Sequence, residues 1–370
     1  MTRFLHRTNL AFFLALVSTV TIVAVVADEN DSYQQHHTIV EQGGIVEHHS
    51  RNLASATAGV DSRLIAYLGN WEACPTSAQT DQYSHIFIAF AEATCTSTCT
   101  IGSPVAICNN AVNPTLVSTW QAAGKKVVLS FGGASMGGSW LKDPNGCWDA
   151  CVGKESSVVT QLVNIVNNQK FDGVDIDYEY FYNTAARQKF IKDITTGLRA
   201  NLPVGSILTH APMDSDMVSG KAYYDILKNV SSSLSFLNVQ YYNGITNPVL
   251  DGFAAATYSH YKNLVDNIFL GDATKIVFGF CVTECVEWNA NSQQAVKVLS
   301  DLKGYYPCNG GAFFWDGKDD PSGSWSISVA AAVQPSVGCS KTPLKPLVAA
   351  PRQPVKIPSK PIPVLSPKKP

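Results

Sequence analysis

Phe171-Asp172-Gly173-Val174-Asp175-Ile176-Asp177-Tyr178-Glu179-Tyr180 is a short β-type run in which acidic and bulky residues alternate. Side chains alternate across a strand, so Asp175, Asp177 and Glu179 share one face, their Cα atoms about 6.5 Å apart per step. In a protein interior three such carboxylates cannot all ionise without repulsion and desolvation on the order of several kcal/mol, so at least one proton must be shared. A carboxylic acid kept protonated near neutral pH is what a general acid requires, and Glu179 stands nearest the C-terminal end of the run. A solvated acidic turn or a calcium loop of alternating aspartates competes with this reading. The EF-hand pattern fails, because its turn glycine and terminal glutamate are not at the required positions.

Working outward, this run is the fourth of eight short, β-rich apolar segments: Leu64–Leu68, His85–Phe90, Lys126–Ser130, Gly173–Asp177, Ser206–His210, Leu237–Tyr241, Lys275–Phe280 and Gly311–Trp315. Stretches between them show helical spacing, as in Val159, Leu162 and Val166 or Phe190, Ile194 and Leu198, which return to one face at i+3 or i+4. Eight strands alternating with helices between Ser62 and Gly338 predict an α/β fold, a closed (β/α)₈ TIM barrel, whose interior would hold the acidic face and whose active site would open at the strands' C-terminal ends. No internal repeat points to a solenoid.

The chain has 370 residues, 45% of them hydrophobic and 15% charged, enough to build a large core. Its formal net charge of −2 argues against nucleic acid as a partner. That average hides unlike segments, since residues 341–370 hold seven Lys or Arg, nine prolines and no acid, while the body is acidic. Arg3, His6 and Arg7 precede an uncharged, mostly apolar stretch from Leu10 to Ala27, which reads as a cleaved secretory signal over residues 1–27, with an uncleaved anchor as the alternative. Residues 28–59 are polar, with His36, His37, His48 and His49, and read as a flexible or pro-segment whose histidines are solvated rather than metal ligands. Residues 60–340 form the barrel. The proline- and lysine-rich tail, 341–370, favours extended polyproline conformation and suits a spacer or a basic contact with a cell wall.

Ten cysteines in a secreted chain imply disulfides. Cys95/Cys99, Cys147/Cys151 and Cys281/Cys285 are each separated by three residues, and the short loops predict three local bridges, leaving Cys74, Cys108, Cys308 and Cys339 for longer ones. Zinc is the competing use of such pairs, but structural zinc sites show the tighter Cys-x-x-Cys spacing and reducing surroundings. Asn30-Asp31-Ser32 and Asn229-Val230-Ser231 are glycosylation sequons.

The acidic run carries Asp172, Gly173, Asp175, Asp177 and Glu179 in the pattern DGxDxDxE, and Ser130-Phe131-Gly132-Gly133 ends the third segment in the pattern SxGG. In these two motifs the chain resembles the chitinases of glycoside hydrolase family 18. Val239-Gln240-Tyr241-Tyr242-Asn243, Trp315 and Tyr67 match weaker features of the family, and the resemblance covers Arg63 to about Trp325. It implies a secreted, retaining chitinase that hydrolyses β-1,4-linked N-acetylglucosamine polymers internally, as a monomer, without metal or cofactor and without a membrane partner once the leader is removed. Glu179 would be the acid, Asp177 would hold the substrate acetamide, Asp175 would share its proton, and Tyr242 would bond the acetamide oxygen. Tyr67, Phe90, Gln240, Asn243 and Trp315 would bind sugar, with Trp315 as the floor beneath a ring. Trp71, Trp140, Trp148 and Trp288 fall in predicted loops and are expected as further stacking subsites, whereas Trp120 is expected in the core, and His210 as a hydrogen-bonded filler. Gly132 and Gly133 are expected to meet a tight backbone requirement. Two other functions remain open at this level: an endo-β-N-acetylglucosaminidase acting on N-glycans, and an inactive chitin-binding lectin, which would typically lack Glu179. The short segment after the seventh strand leaves no room for a walling insertion and predicts an open groove.

Overall fold

A computed structural model describes residues 62–102, 114–137, 146–253 and 256–334. The leader, the histidine-rich segment, the basic tail, Asn30, Trp140, Cys108 and Cys339 lie outside the described residues. Eight strands, β1 (Arg63–Gly69), β2 (His85–Ala91), β3 (Lys126–Gly132), β4 (Gly173–Asp177), β5 (Ile207–His210), β6 (Phe236–Gln240), β7 (Ile276–Cys281) and β8 (Gly311–Trp315), pair in sequence order into a closed barrel. Every pairing is parallel, and β8 closes on β1 with Arg63 opposite Gly311 and Ala66 opposite Phe314. All eight predicted strands are present, two with the predicted bounds and the others with ends shifted by at most two residues.

The helices between strands are α1 (Ser77–Thr80), α2 (Pro114–Ala122), α3 (Cys147–Cys151), α4 (Glu155–Gln169), α5 (Ala185–Asn201), α6 (Ala222–Asn229), α7 (Pro248–Asp251), α8 (Ala256–Asn267), α9 (Ser292–Tyr305) and α10 (Ser324–Val333). Their starts follow local chemistry: the Thr184 hydroxyl accepts from the Arg187 N–H ahead of α5, and Asn291 and Gln294 form a capping box ahead of α9. Val158, Val159, Leu162, Ile165 and Val166 bury one face of α4 against Phe190, Ile191, Ile194 and Leu198 of α5 and the strands beneath. Each such aliphatic side chain contributes roughly 1.5–3 kcal/mol of transfer free energy.

Strand alternation divides the apolar residues into two cores. Leu64, Ala66, Leu68, Ile86, Ile88, Val174, Ile176, Ala312 and Phe314 face the helices, while Ile65, Tyr67, Phe87, Ala89, Val128, Phe236, Val277 and Phe313 fill the barrel. Asp175 and Asp177, one residue out of phase with Val174 and Ile176, therefore point inward, as the alternating run predicts. Trp120 is buried in the outer core, and His210 is buried between the Thr195 and Tyr223 hydroxyls. Burial lowers the His210 pKa to about 3, so it packs as a neutral ring.

Two expectations are corrected. The cysteines on either side of β3 pair across, not locally: Cys95 bonds Cys147 and Cys99 bonds Cys151, whereas Cys281 bonds Cys285 as expected. The crossed bridges tie the loop after β2 to α3. Trp148 is not an exposed stacking platform. It is fully buried, edge-on to Phe131, Tyr178 and Phe190, because α3 turns its indole under the barrel rim.

Candidate active site

The acidic face meets its neighbours in register. Ser130 of β3 and Thr209 of β5 lie opposite Asp175 of β4, and both hydroxyls donate to it, at 2.8 and 2.6 Å. Tyr67 donates a third hydrogen bond at 3.0 Å and itself accepts from Asn238 at 2.9 Å. Burial raises the Asp175 pKa, and the Thr209, Ser130 and Tyr67 donors oppose that rise by favouring the carboxylate.

One step up the strand, Asp177 and Glu179 form a second unit. The Gln240 amide nitrogen lies 3.2 Å from Asp177 Oδ1, 3.1 Å from Glu179 Oε1 and 2.9 Å from the Ala211 carbonyl. Burial pushes the Asp177 carboxyl well above its ordinary pKa, and repulsion from Glu179 and then Asp175 adds to the rise. Glu179 is also raised, again by burial first, while the Gln240 donor pulls it down. The two acids thus hold a proton where isolated carboxyls would release it. Tyr242 lies beside them, its hydroxyl kept protonated by burial and by the charges of Asp177 and Glu179.

These residues open into a cleft of about 500 Å³ at the C-terminal end of the barrel, lined among others by Tyr67, Phe90, Asp177, Glu179, Gln240, Tyr242, Asn243 and Trp315. Of the residues expected to act in catalysis or to bind sugar directly, apart from the loop tryptophans, all but Asp175 line it, and Asp175 lies beneath. Phe90 stacks on Trp315 with centroids 5.7 Å apart and planes 22° apart, and Trp71 continues the row at 6.4 Å and 29° from Phe90. Three near-parallel rings form an apolar shelf suited to the faces of pyranose rings. Of the other loop tryptophans, Trp71 is exposed on this shelf, whereas Trp288 packs on the inner core with its indole N–H bonded to the Thr246 carbonyl. Trp288 does not line the cleft.

The two glycines after β3 make the shelf possible. A Cβ on Gly132 (φ +122°) would sit 2.2 Å from the Asp177 carbonyl oxygen, and one on Gly133 (φ +79°) would sit 2.6 Å from the Phe90 ring. Only glycine meets both demands.

Sequence reading missed Thr209 and Asn238, which complete the hydrogen bonds of Asp175 and Tyr67. Their signal was available: each is a polar residue at an inward position of an otherwise apolar strand. It also missed Glu284, which reaches the cleft wall from the Cys281–Cys285 loop.

The family model of glycosyl hydrolases family 18 matches residues 63–306, from β1 through α9. "Endochitinase 4" of Metarhizium anisopliae is 32% identical over 146 residues, covering 34% of this chain and 47% of that protein. "Chitinase 1" of Tulipa saxatilis subsp. bakeri is 32% identical over 120 residues, covering 32% and 36%. The chain spans less than half the length of these curated relatives. Among solved structures, a GH18 chitinase from Pseudoalteromonas aurantia superposes with a TM-score of 0.60 at 22% identity, covering 73% of this chain and 99% of that one. A GH18 chitinase mutant from Cycas revoluta, in complex with (GlcNAc)4, gives a TM-score of 0.55 at 14% identity, with 73% and 99% covered. These structures share the barrel fold. With its strands, its acidic run and the span of the family match all in agreement, the chain belongs to the glycosyl hydrolases of family 18.

Proposed function

We propose that the protein is a secreted, retaining chitinase that cleaves β-1,4-linked N-acetylglucosamine chains internally. The observation that carries the mechanism is the single amide nitrogen of Gln240 bridging Asp177 and Glu179. Both side chains issue from one face at the C-terminal end of β4 and meet at that nitrogen, so they approach the substrate from the same side. A double displacement needs them about 5–5.5 Å apart on opposite flanks of the scissile bond. Glu179, protonated and at the open end of β4, donates to the glycosidic oxygen. The substrate's own 2-acetamido oxygen attacks the anomeric carbon, the bond to the leaving sugar breaks, and an oxazolinium-type ring forms. Asp177 accepts the acetamide N–H and balances the positive charge, and the Tyr242 hydroxyl donates to the acetamide oxygen. Water, deprotonated by Glu179, then opens the ring with retention at the anomeric centre. Asp175, clamped by three hydroxyls, lies beneath Asp177 and shares its proton, which frees Asp177 to take the acetamide N–H.

Internal cleavage is favoured by the groove, since only residues 282–291 separate β7 from α9 and no inserted domain walls the cleft there. Disulfides at Cys95–Cys147, Cys99–Cys151 and Cys281–Cys285 favour an oxidising, extracellular setting.

The test is Glu179→Gln, assayed with colloidal chitin and N-acetylchito-oligosaccharides beside a high-mannose glycoprotein. The wild type should release the β-anomer from chito-oligosaccharides and leave the glycoprotein and cellulose intact. The variant should lose about 10²–10⁴ in kcat, the range of general acid catalysis, while still binding. First release of the α-anomer, or glycan release without chitin cleavage, overturns the assignment.

A further inference from the structure

Behind the aromatic shelf lies a chain of charges that the proposed reaction does not use. The Trp315 indole N–H donates to Glu284 Oε2 at 3.2 Å. Glu284 Oε1 is 2.7 Å from the Lys318 ammonium, which also reaches Asp316 Oδ2 at 2.6 Å. Asp316 is almost fully buried, and its carboxyl lies within hydrogen-bonding reach of Glu72, whose other oxygen accepts from the Gly69 N–H at 3.3 Å. Four side chains from three loops, those after β1, β7 and β8, are thereby joined into one strip ending on the indole of Trp315 at the end of β8.

The strip is short of one proton donor. Glu72 Oε1 and Asp316 Oδ1 are both buried without a partner. Two carboxyls, Glu284 and Asp316, contact the single Lys318 ammonium, and Glu72 and Asp319, the latter held by the Thr283 hydroxyl at 2.6 Å, add further negative charge near it. A proton held on Glu72 gives the pair a donor where both have only acceptors and removes their mutual repulsion. Without it, two adjacent carboxylates part, and Lys318 must choose between Asp316 and Glu284.

We propose that Glu72, Asp316, Lys318 and Glu284 are positioning residues for sugar binding, fixing the pitch of the Trp315 indole through a carboxyl–carboxylate pair that must keep one proton. This rests on the reading of Trp315 as a sugar-binding floor. The device is distinct from the catalytic acids because it acts on substrate affinity and leaves the proton transfer alone. Burial first, then the charge of Asp316, raises the Glu72 pKa to about 8. Affinity should therefore be full below that pH and weaken as the proton leaves above it.

The experiment titrates N-acetylchitotetraose calorimetrically into the full chain carrying Glu179→Gln, which slows hydrolysis, between pH 6 and 9.5. In that parent the Kd should rise about fivefold across pH 8. Adding Glu72→Gln, whose amide donates to Asp316 permanently, should abolish the rise. Adding Glu284→Ala should weaken binding about tenfold at every pH, and in the otherwise wild-type enzyme it should raise KM with kcat within twofold. Trp315→Ala separates the two levels of the argument. If it leaves Kd unchanged, or if the parent does not bind the tetraose, the floor reading falls and this proposal with it. If Trp315→Ala weakens binding while Glu72→Gln still shows the alkaline rise, or Glu284→Ala changes nothing, the floor stands and the positioning strip is overturned.

Discussion

Gln240→Leu isolates the bridge between the two catalytic carboxyls. Gln240 is 5% exposed, so leucine fills nearly the same buried volume without a donor. A hydrogen bond to a charged group contributes about 1.5–3 kcal/mol. At about 1.36 kcal/mol per pKa unit that is about one to two units, which Asp177 and Glu179 divide because both accept from the same nitrogen. The Gln240 donor lowers both pKa values, so its loss should raise that of Glu179 by about one unit. The sign follows from the role: the acid works while protonated, and activity is lost as pH rises through its pKa. Gln240→Leu should therefore move the alkaline limb of the kcat profile upward by about one unit. It should also lower the maximum, since the acetamide-facing acids and the Ala211 carbonyl lose their tether. The assay is kcat on N-acetylchitotetraose from pH 4 to 10 at fixed ionic strength, read on kcat because KM carries the separate Glu72–Asp316 dependence. An alkaline limb that stays in place or moves down refutes the claim that this amide sets the proton affinity of the pair.

Gly133→Ala forces a Cβ to 2.6 Å from the Phe90 ring at φ +79° and ψ 172°, backbone essentially restricted to glycine, which costs about 1–3 kcal/mol in backbone strain alone; the Tm should fall, KM should rise several-fold as Phe90 leaves Trp315, and wild-type values of both would refute the clash. Stability should fall between pH 7 and pH 8.5, above the range in which the buried, neutral His85, His210 and His260 oppose the trend, because Asp175, Asp177, Glu179, Asp216 and Glu72 all have raised pKa values. Their contribution is complete below the unfolded carboxyl range near 4 and is lost as pH rises toward about 8 for Glu72; a Tm that climbs over this interval contradicts it. Cys95–Cys147 and Cys99–Cys151 each span 52 residues, so either alone closes the long loop; single removals should cost about 3 kcal/mol and the double removal about 7, more than their sum, by loop-closure entropy. Strict additivity in denaturant melts would show that the two bridges do not share a loop.

The barrel was legible because its signals are local and repeated. Each strand is a run of β-rich residues whose alternate members meet opposite cores, and Val174 and Ile176 going outward fix Asp175 and Asp177 inward. The catalytic face was legible for the same reason, since a period of two leaves no freedom once one face is buried. What local pattern cannot carry is the identity of partners from distant strands. Thr209 and Asn238 become partners of Asp175 and Tyr67 only through the barrel's register, and a lone inward threonine or asparagine has many possible partners. The tryptophans show the same limit. Trp71 and Trp148 both follow strands and both fall where loops were expected, yet one joins the shelf and the other is core. The difference lies in α3, a five-residue helix that folds Trp148 under Phe131 and onto Phe190.

That helix also decides the cysteines. Residues four apart on a helix stack on one face, one turn apart, with their side chains pointing the same way. Cys147 and Cys151 so arranged present two parallel sulfurs to whatever faces them. The complementary object is another pair at the same spacing, and Cys95 and Cys99 provide it, which is why both bridges have the same separation in sequence. Cys281 and Cys285 have the same spacing but different backbone: Cys281 ends β7 and Cys285 lies in the turn that follows, so the chain reverses and the two sulfurs meet each other. The same three-residue gap thus yields crossed rungs where it falls on a helix and a local loop where it falls on a strand end. Each outcome serves the cleft: the rungs fasten the loop that follows β2, the strand carrying Phe90 of the shelf, and the local loop holds Glu284 against the Trp315 indole.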